Sequence, residues 1–368
     1  MQTSHTLHIG DARDLSAVPS GSVHLVVTSP PYPMIAMWDE VFAELAPGSV
    51  AALEAGQGRA AFEAMHAVLD AVWEECARVL APGGFACVNI GDATRSLAEE
   101  FALYPNQARI STALSRVGLT PLPDILWRKP SNAPNKFMGS GMLPAGAYVT
   151  YEHEYVLIFR KGGKREFTGA ERTRRSESAY FWEERNLWFS DLWTDLRGTR
   201  QGLGAGAPRE RSAAFPFELP WRLVHMFSVQ GDVVLDPFVG TGTTMAAAFA
   251  AGRQSVGVER ALELAPRVGA ALEAAVGEGR RRAEERLVAH FAAMAEREGR
   301  GKTPLHRSTV YGFGVVTGQE QAVRVLAPVA LHSSGEGAWV GEHDTATLPP
   351  FLPGLGGARP HRAAGGEG

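Results

Sequence analysis

Two segments of the chain hold residues whose types and spacing could do chemistry. The first is Thr28-Ser29-Pro30-Pro31-Tyr32, directly after the apolar run 23–27. Two consecutive prolines stiffen the backbone and remove two N–H donors. The Ser29 hydroxyl and the Pro30 carbonyl are then two acceptors at the head of a rigid loop. The lone pair of an exocyclic base amine is delocalised into the ring, which makes it a poor nucleophile. Two acceptors that take its N–H groups localise that pair. Tyr32 adds a face on which a base can stack. The second segment is Asp236-Pro237-Phe238-Val239-Gly240-Thr241-Gly242-Thr243-Thr244. It stands between an apolar run and a small-residue helical stretch. Glycine lets backbone amides approach a ligand closely. No lysine follows the turn, which argues against a nucleotide-triphosphate loop. A dinucleotide turn wants a third glycine where Met245 stands. A nucleoside without phosphates, such as S-adenosylmethionine, remains. Glu259 ends the next apolar run, where a carboxylate can accept both ribose hydroxyls.

Together these segments resemble the amino-methyltransferases of DNA. Ser29, Pro30, Pro31 and Tyr32 match the catalytic loop. Asp236, Pro237, Phe238, Gly240, Gly242, Thr243 and Thr244 match the S-adenosylmethionine loop. The catalytic loop comes first, as in the circularly permuted beta class. Asp11 looks like the acid that contacts the adenine, and Phe215 like part of the cradle for the methionine end. The segments around Trp127 and Glu154 look like later strands of the family. The resemblance spans residues 7–265. It implies a site-specific methyltransferase that moves a methyl group onto a base flipped out of duplex DNA. Serine at the head of the loop accompanies N4-cytosine methylation; aspartate or asparagine accompanies N6-adenine. N4-cytosine is therefore expected, with N6-adenine as the alternative. A protein-glutamine or RNA methyltransferase is a further alternative, against which the order of the loops speaks. A binding module without activity is disfavoured because both loops are intact. A restriction endonuclease acting separately on the same site is a candidate partner.

Basic residues gather between the two halves. Residues 160–175 hold seven basic against two acidic residues, and 197–211 hold four against one. Lys164, Arg165, Arg172, Arg174, Arg175, Arg197 and Arg200 are the candidate contacts to DNA phosphates. The aromatics from Tyr180 to Trp193 form a small core or a stacking surface. Residues 131–136 could touch the base or the backbone, and Met34, Met37 and Trp38 could wall the base pocket. Asp39 is a candidate contact that reads better as a surface acid.

The elements that must position these residues follow an α/β pattern. Strands are expected at 23–28, 85–91, 124–129, 154–161, 233–238 and 254–259. Helices are expected at 61–80, 107–117, 243–252 and 261–298. Strand, glycine turn, helix and strand in that order make a parallel unit. The expected fold is a Rossmann-like, doubly wound, mostly parallel sheet, that of class I S-adenosylmethionine-dependent methyltransferases. The expected division is a catalytic half at 1–160, a target-recognition region at 161–211, a cofactor half at 212–298, and an extension at 299–368 with a disordered end. The chain has 368 residues, 45% hydrophobic and 21% charged, with a net charge of −4. That composition suits a water-soluble globular chain of one or two domains. Cys76 and Cys87 are the only cysteines. They allow neither a disulfide framework nor a cysteine-rich metal cluster, and no metal is expected. No signal peptide or membrane span is read, so a cytoplasmic location is expected.

Overall fold

The computed structural model of the chain describes residues 1–98, 100–129, 138–197 and 215–347. The run VHLVVT is apolar on both faces, so its strand needs cover on both sides. This strand, β2 (Val23–Thr28), lies in the middle of an eleven-stranded sheet. The others are β1 (Gln2–Ile9), β3 (Leu80–Ile90), β4 (Leu119–Pro121), β5 (Ile125–Arg128), β6 (His153–Lys161), β7 (Leu192–Trp193), β8 (Val233–Asp236), β9 (Gln254–Glu259), β10 (Leu326–Gly335) and β11 (Ala338–Thr345). The spatial order is β7-β5-β6-β3-β2-β8-β9-β1-β11-β10, with β4 beside β6. From β3 through β1 every pairing is parallel. Strand β6 enters antiparallel between β3 and β5. The sheet is therefore mostly parallel and doubly wound, with the direction of build-up reversing between β2 and β8.

Helices cover both faces. The helix Gly58–Val79 buries Phe62, Met65, Leu69, Val72, Cys76 and Val79, the stripe that its 3.6-residue spacing predicts. It packs on Val26, Val88 and Leu235. On the other face, Glu218–Phe227 and Thr243–Ala250 cover Leu25, Val27 and Val234. Ala265–Gly299 is one helix of 35 residues. Both cysteines are buried, and burial pushes their thiols up.

Three expectations change. The first helix stops at Val79, before Pro82; residues 82–84 instead form an irregularity inside β3, with Gly83 at φ 78°. Strand β1 is absent from the expected strands, because its sequence, QTSHTLHI, hides polar side chains. Thr3 and His5 are buried and bond to each other at 2.9 Å, and His5 bonds Ser255 at 2.8 Å. The extension after 300, expected to stand apart from the two halves, adds two strands to the main sheet. Strands β10 and β11 form a hairpin that docks antiparallel on β1. His343 of β11 bonds the Phe249 carbonyl at 2.7 Å, and its own carbonyl accepts the Met1 amine at 2.7 Å. The disorder expected over 349–368 lies outside the described residues.

Candidate active site

The reversal of strand order opens a crevice at the carboxyl ends of the parallel strands, where such sheets bind ligands. There β2 and β8 are neighbours, with Val26 opposite Leu235. Their loops emerge side by side. Thr28 Oγ1 donates to Asp236 Oδ1 at 2.6 Å, which ties the two loops together. Asp236 is buried, and burial raises its carboxyl to about 6. The Phe238 N–H also donates to Asp236 Oδ1, at 3.0 Å.

A cavity of about 580 Å³ fills the crevice. Ser29, Pro30, Pro31 and Tyr32 line one side of it. Asp11, Phe215, Asp236, Pro237, Phe238, Gly240, Thr243 and Glu259 line the other. Gly242 and Thr244 do not line it. Gly242 turns the chain at φ 90° into the helix Thr243–Ala250, and a Cβ there would come within 3.0 Å of the Val268 backbone. Thr244 is buried behind the loop, its hydroxyl 3.5 Å from the Val27 carbonyl. Glu259 accepts the Gly240 N–H at 2.9 Å and the Ala261 N–H at 2.8 Å, so its carboxylate is held facing the glycine loop. Asp11 is chelated by the Arg13 guanidinium, at 3.0 and 2.7 Å, and this pairing holds its carboxyl below the usual range.

The segment after the catalytic loop closes the cavity. Met37 and Trp38 line it, whereas Met34 is buried at φ 67°, a strained value for a side-chain-bearing residue. Asp39 is taken by Arg95, at 2.8 and 2.7 Å, and serves as a structural tether.

The N6/N4 DNA methylase family matches residues 23–268. The chain belongs to that family. The methylase is 47% identical over 334 residues to the type II methyltransferase M.MthZI of Methanothermobacter thermautotrophicus, covering 89% of this chain and 92% of that one. It is 45% identical over 283 residues to the type II methyltransferase M.MjaI of Methanocaldococcus jannaschii, covering 72% and 89%. Among solved structures, it matches a Thermus thermophilus protein assigned as a DNA modification methylase, complexed with S-adenosyl-L-methionine. That match has 35% identity and a TM-score of 0.57, over 74% of this chain and 95% of the other.

S-adenosylmethionine is the cofactor of this methylase, and its cavity suits that molecule. Apolar Phe238, Val258 and Leu264 offer an adenine a dry wall. The Glu259 carboxylate lines the cavity beside the glycine loop, where an acid can accept ribose hydroxyls. The volume lies within the usual range for a small-molecule site.

The predicted DNA contacts come apart in the structure. Arg165 Nη1 lies 2.7 Å from Asp232 Oδ2, at the amino end of β8. A Cβ on Gly83 would meet the Arg165 backbone at 2.6 Å, again at the amino ends of the strands. Arg174 reaches Gly231, and Arg175 stacks over Phe167 beside Arg165. Lys164, Arg165, Arg172, Arg174 and Arg175 thus sit at the sheet edge opposite the cavity, and the structure does not bring them to it. Charge in a sequence carries no sign of which edge its loop will reach. Arg197 follows the carboxyl end of β7, on the cavity side, and is exposed. Arg200 and residues 131–136 lie outside the described residues. The aromatic stretch is largely core: Phe181, Trp188 and Trp193 are buried, and Phe181 stacks on His290 at 4.0 Å. Among the described residues, no helix is long and apolar enough to cross a membrane.

Three site residues escape a reading of roles from sequence. Asn89, Lys129 and Glu154 meet at the floor of the catalytic loop. The Asn89 amide donates to Tyr32 Oη at 2.9 Å and to Glu154 Oε2 at 2.7 Å, and Lys129 Nζ lies 2.5 Å from Glu154 Oε1. One signal is available: Asn89 interrupts the apolar run of β3.

Proposed function

We propose that the methylase modifies the N4 amine of a cytosine flipped out of duplex DNA. The observation that carries this reading is Ser29 at the head of the Pro-Pro-Tyr loop, where a neutral hydroxyl rather than a carboxylate meets the amine. Ser29 Oγ and the Pro30 carbonyl accept the two amine N–H groups and turn the nitrogen lone pair toward the cofactor side. Tyr32 supplies the ring face for the base. Asp236, through Phe238, and Glu259, through Gly240, hold the loop that seats the cofactor. When bound, S-adenosylmethionine supplies an electrophilic methyl group. Asp11 contacts the adenine after Arg13 yields, and Phe215 flanks the methionine end.

Duplex DNA approaches the carboxyl edge of the sheet in this reading, where Arg128 is 61% exposed at the end of β5. Target recognition then falls to chain on that edge, including residues 194–197 after Trp193. A separate endonuclease cutting the unmethylated site is the expected partner, as the type II relatives suggest.

The test is nucleoside analysis of DNA treated with the methylase and labelled cofactor. N4-methylcytosine is expected; N6-methyladenine would replace this reading. Ser29→Ala should cut turnover by about 10²–10⁴-fold while cofactor binding by calorimetry stays intact. Unchanged turnover would remove Ser29 from the reaction.

A further inference from the structure

The hydroxyl of Tyr32 is held in a directed chain. Ser29 Oγ donates to Tyr32 Oη at 3.1 Å, and Tyr32 Oη donates to Glu154 Oε2 at 3.1 Å. Asn89 Nδ2 donates to both acceptors, at 2.9 and 2.7 Å, which leaves their remaining lone pairs and protons oriented along the chain. Lys129 Nζ, 2.5 Å from Glu154 Oε1, pairs with the carboxylate. The donor-to-acceptor order therefore runs from Ser29 through Tyr32 to Glu154, and all three line the cavity. Four different elements contribute: the loop after β2, β3, the end of β5, and β6. Asn89 is 3% exposed, and burying such a polar group is costly unless it is bonded.

Methylation leaves the amine with a surplus proton and a positive charge inside a partly dry cavity. A serine hydroxyl has no capacity to hold that proton at neutral pH. The geometry points to Glu154 as its terminal acceptor, reached through Ser29 and Tyr32. As the N–C bond forms and the donor's C–S bond breaks, one amine proton passes to Ser29 Oγ. The Ser29 hydroxyl proton passes to Tyr32 Oη, and the phenolic proton passes to Glu154 Oε2. Serine and tyrosine end neutral, the base ends neutral, and Glu154 ends as a carboxylic acid that returns its proton to water between turnovers. Burial raises the Tyr32 phenol well above its ordinary value, which keeps it protonated and able to donate. Glu154 is a positioning group that acts through Tyr32, so a merely structural role is the competing account. This inference rests on Ser29 as the group that receives the amine, and applies equally to cytosine or adenine.

The test compares single-turnover methyl transfer into DNA by the wild type, Glu154→Gln, Tyr32→Phe and the double variant between pH 5 and 9. The titratable groups around Glu154 are Tyr32 and Lys129, with His153 adjacent in β6 and Asp92 behind Gly91. Each single variant should lose about 10²–10⁴-fold in rate with unchanged cofactor affinity. The double variant should be no slower than the worse single one, because both cut one chain. Glu154→Gln should lack the acidic limb of the wild-type pH profile, and added formate should restore part of the rate of Glu154→Ala. Losses that multiply in the double variant, or an acidic limb retained in Glu154→Gln, would overturn the relay. So would a Tyr32→Phe enzyme within twofold of the wild type, which keeps the ring and guards against misfolding of the Glu154 variants. Full activity in Ser29→Ala would instead defeat the reading beneath it.

Discussion

At the scale of single residues, the buried histidines make the fold sensitive to acid. Burial, with His343 nearby, lowers His5 to about 3, and burial lowers His66 to about 4. In the unfolded chain both titrate near 6.5. Above that pH neither form carries the proton and nothing is lost. As pH falls from 6.5 toward 3, the unfolded chain gains a proton that the folded His5 refuses. Stability drops by about 1.4 kcal/mol per pH unit for such a group, or about 2 kcal/mol by pH 5. Asp236 works the other way: raised to about 6, it favours the fold as pH falls from 6 toward 4. The net expectation is a lower urea midpoint at pH 5 than at pH 7. The His5→Asn variant, whatever its overall stability, should show a shallower slope with pH; an identical slope would exclude His5 as a source. The two loops are legible in the sequence at this scale because each keeps its chemistry in contiguous residues. The Glu154 chain is not, because it joins positions 29, 32, 89, 129 and 154 that only the pairing of β2, β3, β6 and β5 brings together.

At the scale of elements, strands buried on both faces are legible as apolar runs, and β2, β8 and β9 fall where those runs end. Strand β1 and the β10–β11 hairpin are not, because their inner faces are partly polar and satisfied by bonds across great sequence distances. The hairpin is packed closely where Gly341 faces the helix Thr243–Ala250. A Cβ at Gly341 would overlap Phe249 Cε2 and lie 3.0 Å from Thr3 Oγ1. Gly341→Ala should therefore cost about 1–3 kcal/mol through overpacking. Chemical denaturation would read this as a lower midpoint with unchanged slope. No shift would show that the hairpin edge yields freely.

At the scale of the whole molecule, the fold class is legible from the alternation of strand and helix patterns, but the placement of charge is not. The cluster around Arg165 lies beyond β8 from the crevice. Four residues of strand, roughly 13 Å, separate Asp232 from Asp236. A duplex presenting a base to Tyr32 therefore leaves Lys164, Arg172 and Arg175 on its far side. Replacing these three by glutamine should leave DNA affinity and its salt dependence unchanged. Each lost phosphate contact would instead lower the slope of log K against log salt by about one. A slope reduced by two or three would bring that edge back into contact with DNA.

The neighbours of β1 also set a timetable. Its His5 pairs with Ser255 and its Thr3 with Gly341, so β1 is enclosed by strands translated about 250 residues or more after it. Synthesis at about 5–20 residues per second leaves a nascent β1 without partners for roughly 10–50 s. Until the hairpin arrives, one side of β1 stays open, and chaperone capture of ribosome-bound chains should fall once β11 has cleared the exit tunnel.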